Sequence, residues 1–364
     1  MEKSKSGWKI TTIILCALLI IVGALYGFGV GYRSNSKTVK LSLWEDNSQA
    51  KIQLENFVKS SVKKNDPNYI PKENRVAVFD LDGTLFCETD PNYFDYMLLV
   101  YRVLEDPIYK TQASEFEREV ANKIVDKNNK VPGNYDNLPV EHGQAIASSF
   151  KGLTLNEFND YIQEFKKQPM PSYTGMNRGD GWYQPMLQVI ELLKANDYTV
   201  YVVSGTDRFI VRGITYNSPL DLPKGQIIGS DETLVSYKQQ SAGIDGLDYI
   251  YNEDQEGDNL ILGGEFIIKN LKMNKVTVIA QEIGVKPVLS FGNSTGDQSM
   301  AEYVLTDNPY NSMAFMLCCD DTVRENGNLT SATKMYALCE TYGWQAISMK
   351  NDWKTIYGEG VSKK

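Results

Sequence analysis

Three kinds of hydrophobic patterning divide the chain. The first is an uncharged apolar run over residues 10–30, preceded by Lys3, Lys5 and Lys9. It has the length and flanks of a signal anchor or a secretory leader, and the basic side predicts a body outside the cytoplasm. The second consists of short continuous apolar stretches at residues 76–79, 197–203 and 287–291, each running straight into a polar loop. Such stretches mark strands buried on both faces of a parallel sheet. The third is apolar spacing of helical period, over residues 41–63, 93–103, 114–125, 141–150 and 154–165 and again from Pro185. Strands alternating with helices predict an α/β fold with a Rossmann-like, doubly wound parallel sheet. The segment between the first two strands is far longer than a crossover needs, so its four helices are expected to form an inserted helical cap.

The expected organisation follows from these patterns. Residues 1–32 form the anchor or signal peptide, and 33–74 a polar tether with an accessory helix. Residues 75–90 and 176–364 make the core, and 91–175 the cap. A polar, Gly- and Asp-rich segment, 230–264, reads as a hairpin insertion in the core, with strands at 233–237 and 249–251.

Composition leaves this picture in place, and charge narrows it. A chain that is 42% hydrophobic and 23% charged suits a globular body. A net charge of −9 argues against a nucleic-acid partner, so any anionic substrate must be held by a local site. The single histidine, His142, removes Ser-His-Asp hydrolases and three-histidine zinc sites from consideration. In its context, P-V-E-H-G-Q-A-I-A, it reads as a structural residue. Outside the cytoplasm, Cys339 could form a disulfide with Cys318 or Cys319.

The chemistry gathers at the strand ends. The first strand runs into Asp80-Leu81-Asp82-Gly83-Thr84. Two carboxylates at one strand end give one group to attack or hold a cation and another to exchange a proton. The second strand ends in Ser204-Gly205-Thr206, offering a hydroxyl and backbone amides. Lys275 opens the helix that leads into the third strand and supplies a cation, with Lys269 and Lys272 competing for that role. The third strand ends in Gly292-Asn293-Ser294-Thr295-Gly296-Asp297.

This order of motifs resembles the haloacid dehalogenase superfamily, whose first motif is D-x-D-x-T at the end of the first strand. The resemblance implies that Asp80 is the nucleophile forming an aspartyl-phosphate and Asp82 the acid and base. Thr84, Ser204, Gly205 and Lys275 would bind the phosphate together with Asp80. It also implies Mg²⁺, held by Asp80, the carbonyl of Asp82 and the fourth motif. There this chain has Asn293 in place of the expected Asp, and Asp297 four residues on. An amide oxygen ligates without bringing charge, so a catalytically weak surface binding protein stands as one alternative and a phosphotransferase as another.

The cap and motif order resemble the phosphoserine phosphatase-like branch. The segments F-D-L-D, F-K-G-L-T-L-N-E-F, V-Y-V-V-S and Asn351-Asp352-Trp353 resemble the secreted bacterial phosphorylcholine phosphatases. These likenesses imply an extracytoplasmic, Mg²⁺-dependent phosphomonoester hydrolase for a small phosphorylated metabolite, phosphorylcholine-like or phosphoserine-like. It would sit in the cell membrane through its N-terminal helix, or be secreted if the leader is cut. Glu88, Asp90, Tyr93 and Trp182 are candidates to select the leaving group, since acids suit an amine and aromatic faces a quaternary ammonium.

Overall fold

Each strand of the sheet is fed by a segment whose sequence sets its own boundaries. The computed structural model describes residues 39–252 and 257–364, and the apolar run at 10–30 lies outside the described residues. Helix α1 (Gln49–Val62) is capped by the Ser48 hydroxyl, which accepts from the Lys51 amide. It is shorter than the expected 41–63 because the chain before Ser48 runs irregularly, pairing Trp44 with Trp353. Strand β1 (Val76–Phe79) is fully buried.

Four α-helices follow before the next strand: α2 (Phe94–Val100), α3 (Glu115–Asn128), α4 (Leu138–Ser149) and α5 (Leu155–Lys166). Ser114 with Glu117 and Thr154 with Glu157 form reciprocal capping boxes, which fix where α3 and α5 begin. After the short β2 (Tyr173–Thr174) come α6 (Gln184–Ala195), β3 (Thr199–Asp207), α7 (Arg208–Thr215), β4 (Ile227–Ser236), α8 (Tyr237–Ala242) and β5 (Leu260–Ile268). The chain closes with α9 (Met273–Val278), β6 (Leu289–Gly292), α10 (Gln298–Leu305), β7 (Met313–Cys318), α11 (Leu329–Tyr342), β8 (Gln345–Ser348) and β9 (Ser362–Lys363). Among the described residues no helix is long and apolar enough to cross a membrane.

The main sheet has the order β5-β4-β3-β1-β6-β7-β8, parallel throughout except where β5 runs against β4. This is a Rossmann-like arrangement. The chain builds outward from β1 through β3 to β5, then returns to β1's other side with β6, so β1 sits at the topological switch point. Ligands of such sheets bind there, beyond the carboxyl ends of the strands. Phe79, Phe291 and Phe315 stack across β1, β6 and β7, with ring centroids 4.2 and 4.9 Å apart.

Two expectations about strands are corrected. The hairpin expected in the core over 230–264 takes a different form: its antiparallel strands are β4 and β5, which form one end of the main sheet. Residues 249–251 are irregular, and the antiparallel partner lies at Leu260–Ile268. The second correction concerns β3, which continues through Ser204-Gly205-Thr206 to Asp207. The Asp207 carboxylate then caps α7 by accepting from the Phe209 and Ile210 amides. Ser204, Gly205 and Thr206 therefore belong to the strand itself rather than to a polar loop after it.

Candidate active site

Sheet register assembles the site. Phe79 pairs with Val202 on one side and Phe291 on the other, so the residues that follow all emerge at one level of the sheet. Asp80 comes from β1, Ser204 to Thr206 from β3, and Gly292 and Asn293 from β6. The Asp80 amide, donating to the Phe291 carbonyl at 2.9 Å, carries the pairing one residue past β1. Gly83, at φ +78°, then turns the backbone, and its amide donates to the Phe86 carbonyl.

Lys275 is the buried cation. Its Nζ lies 2.6 Å from Asp80 Oδ1 and 2.6 Å from Asp297 Oδ1, and the residue is fully buried. Of the three lysines weighed, this is the one that meets Asp80. Lys272, at the start of α9, donates its amide to the Gly296 carbonyl and so ties this helix to the β6–α10 loop. Asp297 has both oxygens occupied. While Oδ1 takes Lys275, Oδ2 accepts from the Asn293 and Ser294 amides, each at 3.1 Å, and from the Ser294 hydroxyl. A side chain at Gly292 would strike that carboxylate, since a Cβ there would lie 2.5 Å from Asp297 Cβ.

The electrostatics separate the two acids. Burial, with Asp297 beside it, pushes Asp80 up to about 7 in spite of Lys275. Burial, reinforced by Asp95 and Asp80, raises Asp82 well above the usual carboxylate range, while the Thr206 hydroxyl, donating to Asp82 Oδ2 at 2.8 Å, works the other way. Burial opposes the charge on Lys275, but Asp297 and Asp80 outweigh it and keep its pKa raised. One cavity of about 360 Å³ opens onto these groups. Asp80, Asp82, Gly205, Thr206, Asn293 and Asp297 form its base, Tyr93, Asp95 and Tyr96 come from the start of α2, and Lys127, Lys269 and Lys272 complete the wall.

The remaining expected residues lie as follows. Ser204 is fully buried with its Oγ accepting from the Thr206 amide, and it does not line the cavity. Thr84 is likewise fully buried and outside the lining. Glu88 lines an adjoining cavity of about 480 Å³, together with Thr89 and Asn293, and accepts from the Tyr93 hydroxyl at 3.2 Å. Asp90 and Trp182 do not face either cavity. Asp90 accepts from the Ser172 amide, and Trp182 packs edge-on against Phe86 in the core. All four cysteines among the described residues are free thiols.

Sequence reasoning missed the Thr206 hydroxyl and Asp95. Thr206 shares a strand face with Ser204, a two-residue spacing that could have drawn attention to it. Asp95 is an acid on an otherwise apolar, buried helix face, itself an unusual signal.

His142 proves to be structural and deeply buried. It stacks on Tyr96 at 3.9 Å, and its Nδ1 lies 3.7 Å from Asp95 Oδ2. Burial lowers its pKa from 6.5 to about 4. The unfolded chain therefore binds a proton between those values that the folded protein refuses, and stability falls as pH drops through this window. Between pH 7.5 and pH 5 this should cost about 2 kcal/mol. His142→Phe, which keeps the stacking, is expected to lose less on the same change, as read by urea unfolding at both pH values.

The donor set fits a hard divalent cation, although among the described residues no three His, Cys, Asp or Glu side chains form a ready cage. Asp80, Asp82 and Asp95 bring three carboxylates to the cavity, and Asp82 Oδ1 is buried without a partner. Asn293 lies over Gly83, in space that a Cβ would fill. With Asp297 committed to Lys275 and its own loop, Asn293 is the fourth-motif residue with an oxygen to offer. The residues that would hold Mg²⁺ are thus Asp80, the Asp82 carbonyl and Asn293.

Residues 77–221 match the model of a family described as haloacid dehalogenase-like hydrolase. The matched span begins within β1 and takes in Asp80, Asp82, the helices α2 to α7 and β3. No curated protein matches the chain in sequence. Among solved structures, a conserved functionally unknown protein from Anaerococcus prevotii is 15% identical with a TM-score of 0.50, covering 82% of this chain and 91% of its own. That likeness is one of fold. A cytosolic 5'-nucleotidase IIIB bound to cytidine is 11% identical with a TM-score of 0.48, over 85% of this chain and 88% of its own. A substrate-bound phosphoserine phosphatase is 16% identical with a TM-score of 0.34, over 67% and 86%.

Proposed function

We propose that the protein is an Mg²⁺-dependent phosphomonoester hydrolase working outside the cytoplasm on a small phosphorylated metabolite, phosphoserine-like in carrying a carboxylate on its leaving group. The observation that carries this reading is the convergence of Asp80, Asp82 with Thr206, and Lys275 with Asp297 on one cavity.

The steps follow from the residues. Lys275 holds the Asp80 carboxylate by Oδ1, and the carboxylate attacks phosphorus to form an acyl phosphate as the ester P–O bond breaks. Asp82, kept protonated by its burial, gives its proton to the departing oxygen. It then takes a proton from water, whose oxygen attacks the same phosphorus and frees both phosphate and Asp80. Thr206 keeps Asp82 aimed throughout. Bound Mg²⁺ would offset the charge of the phosphoryl oxygens against the surrounding carboxylates.

The cavity wall bears on the leaving group. Lys127 reaches it from the end of α3 and Lys269 and Lys272 from the short connection between β5 and α9, and Lys269 is only loosely paired, 4.0 Å from Asp95. A quaternary ammonium would need open aromatic faces, yet Tyr96 is already stacked on His142. A carboxylate on the leaving group suits these lysines better than choline does. Full-length protein with Mg²⁺ is expected to release phosphate from phosphoserine with a kcat/KM about tenfold or more above that for phosphorylcholine, one charge contact being worth roughly that. Absence of release from both, with phosphoethanolamine and nucleotides also tried, would sink the phosphatase reading; the reverse preference would restore the choline-type pocket.

A further inference from the structure

Gly83 lies where the loop after β1 meets the loop after β6. A Cβ placed on it would stand 1.9 Å from Asn293 Nδ2, 2.8 Å from Asn293 Cγ and 3.2 Å from Glu88 Cδ. The Asn293 amide and the Glu88 carboxyl are therefore packed together over a backbone position that has no side chain to separate them. Both side chains line the cavity of about 480 Å³, and the Asn293 atom nearest this shared position is Nδ2. With the nitrogen on the Gly83 side it can donate to the Glu88 carboxylate, and the amide oxygen is turned the other way. Glu88 is steadied from its other side by the Tyr93 hydroxyl.

We propose that Glu88 is a positioning residue for the Mg²⁺ site, holding Asn293 with its oxygen presented to the cation and supplying, one hydrogen bond away, the negative charge that Asn293 lacks. This rests on the Mg²⁺ reading above. A carboxylate accepting from a ligand's N–H fixes that ligand's orientation and makes its donor atom more basic. The arrangement also accounts for an amide at position 293. A carboxylate there would press against Glu88 across Gly83, two like charges in a poorly solvated cleft. The chain carries its fourth-motif charge at residue 88 instead of residue 293.

Charge transposition tests this with full-length protein and Mn²⁺ as the probe, bound and free ion being distinguished by electron paramagnetic resonance. Glu88→Gln is expected to weaken Mn²⁺ binding about tenfold. Asn293→Asp alone should give no gain, because its new charge meets Glu88. The double variant E88Q/N293D moves the charge to the ligand itself and should bind within about threefold of wild type. Wild-type affinity in E88Q would overturn the proposal. So would a double variant that binds no tighter than N293D, a comparison that remains available if E88Q alone fails to fold. The parent reading fails differently, through a wild-type protein that binds no Mn²⁺ or releases no phosphate.

Discussion

Asp80→Asn is expected to lower phosphate release by on the order of 10⁴-fold or more, with cooperative unfolding retained. The loss should fall on kcat, because the cavity, its lysines and Asp82 remain while the attacking oxygen is gone. Brief exposure of the wild-type protein to substrate followed by acid quench should leave a phosphoryl group on the peptide containing Asp80, and the variant should carry none. A variant that turns over at the wild-type rate would remove Asp80 from the nucleophile's role. It would leave Asp82 as the alternative acid at that strand end.

The second large effect is on folding as much as on chemistry. Lys275→Met takes the buried cation from between two carboxylates that lie 2.6 Å from it. Breaking a buried pair from one side leaves uncompensated charge and typically costs about 3–5 kcal/mol. In the wild type Lys275 is charged at pH 5 and at pH 8 alike, because its raised pKa is crossed only above 10.5, whereas Asp80, pushed up to about 7, pairs with it as a carboxylate at pH 8 and takes up a proton toward pH 5. In the variant, Asp80 loses the influence that lowers its pKa and holds a proton to higher pH, so the variant should be closer to wild type at pH 5 than at pH 8. Guanidinium unfolding at the two pH values checks this. Equal stability of variant and wild type at pH 8 would mean that the two carboxylates do not depend on the lysine.

The strand-end chemistry was legible in the sequence because it is local: an apolar run that stops at Asp80, another that runs into Ser204, a third that stops before Asn293. Lys275 could be ranked above Lys269 and Lys272 only by its place in the motif order, and burial between Asp80 and Asp297 now gives the physical reason. Other parts of the site depend on packing between distant segments. Asp95 acts on Asp82 because α2 seats beside the first loop, and no spacing along the chain encodes that seat. Strand β5 was missed for a different reason. Gly263 and Gly264 in its middle read as a loop, yet each marks a close approach, to Thr233 and to the Lys151 side chain respectively. Asp90 and Trp182 are candidates by their nearness in sequence to the motifs, and packing takes them into the protein's interior instead.

Strand β5 has a consequence for the helices above the cavity. It lies at the end of the sheet, where a row of unused backbone groups would invite pairing with another molecule. Here the loop between α4 and α5 takes that place: the Leu262 amide donates to the Leu153 carbonyl, the Gly152 amide donates to the Leu262 carbonyl, and Thr154 bridges Ile261. The helices on either side of that loop are thus tied to the sheet's rim and guard it against aggregation. Substrate entry by swinging them away would uncover that rim at every turnover, whereas movement confined to α2 and α3, with α4 and α5 left stitched to β5, would open the cavity and keep the protein soluble.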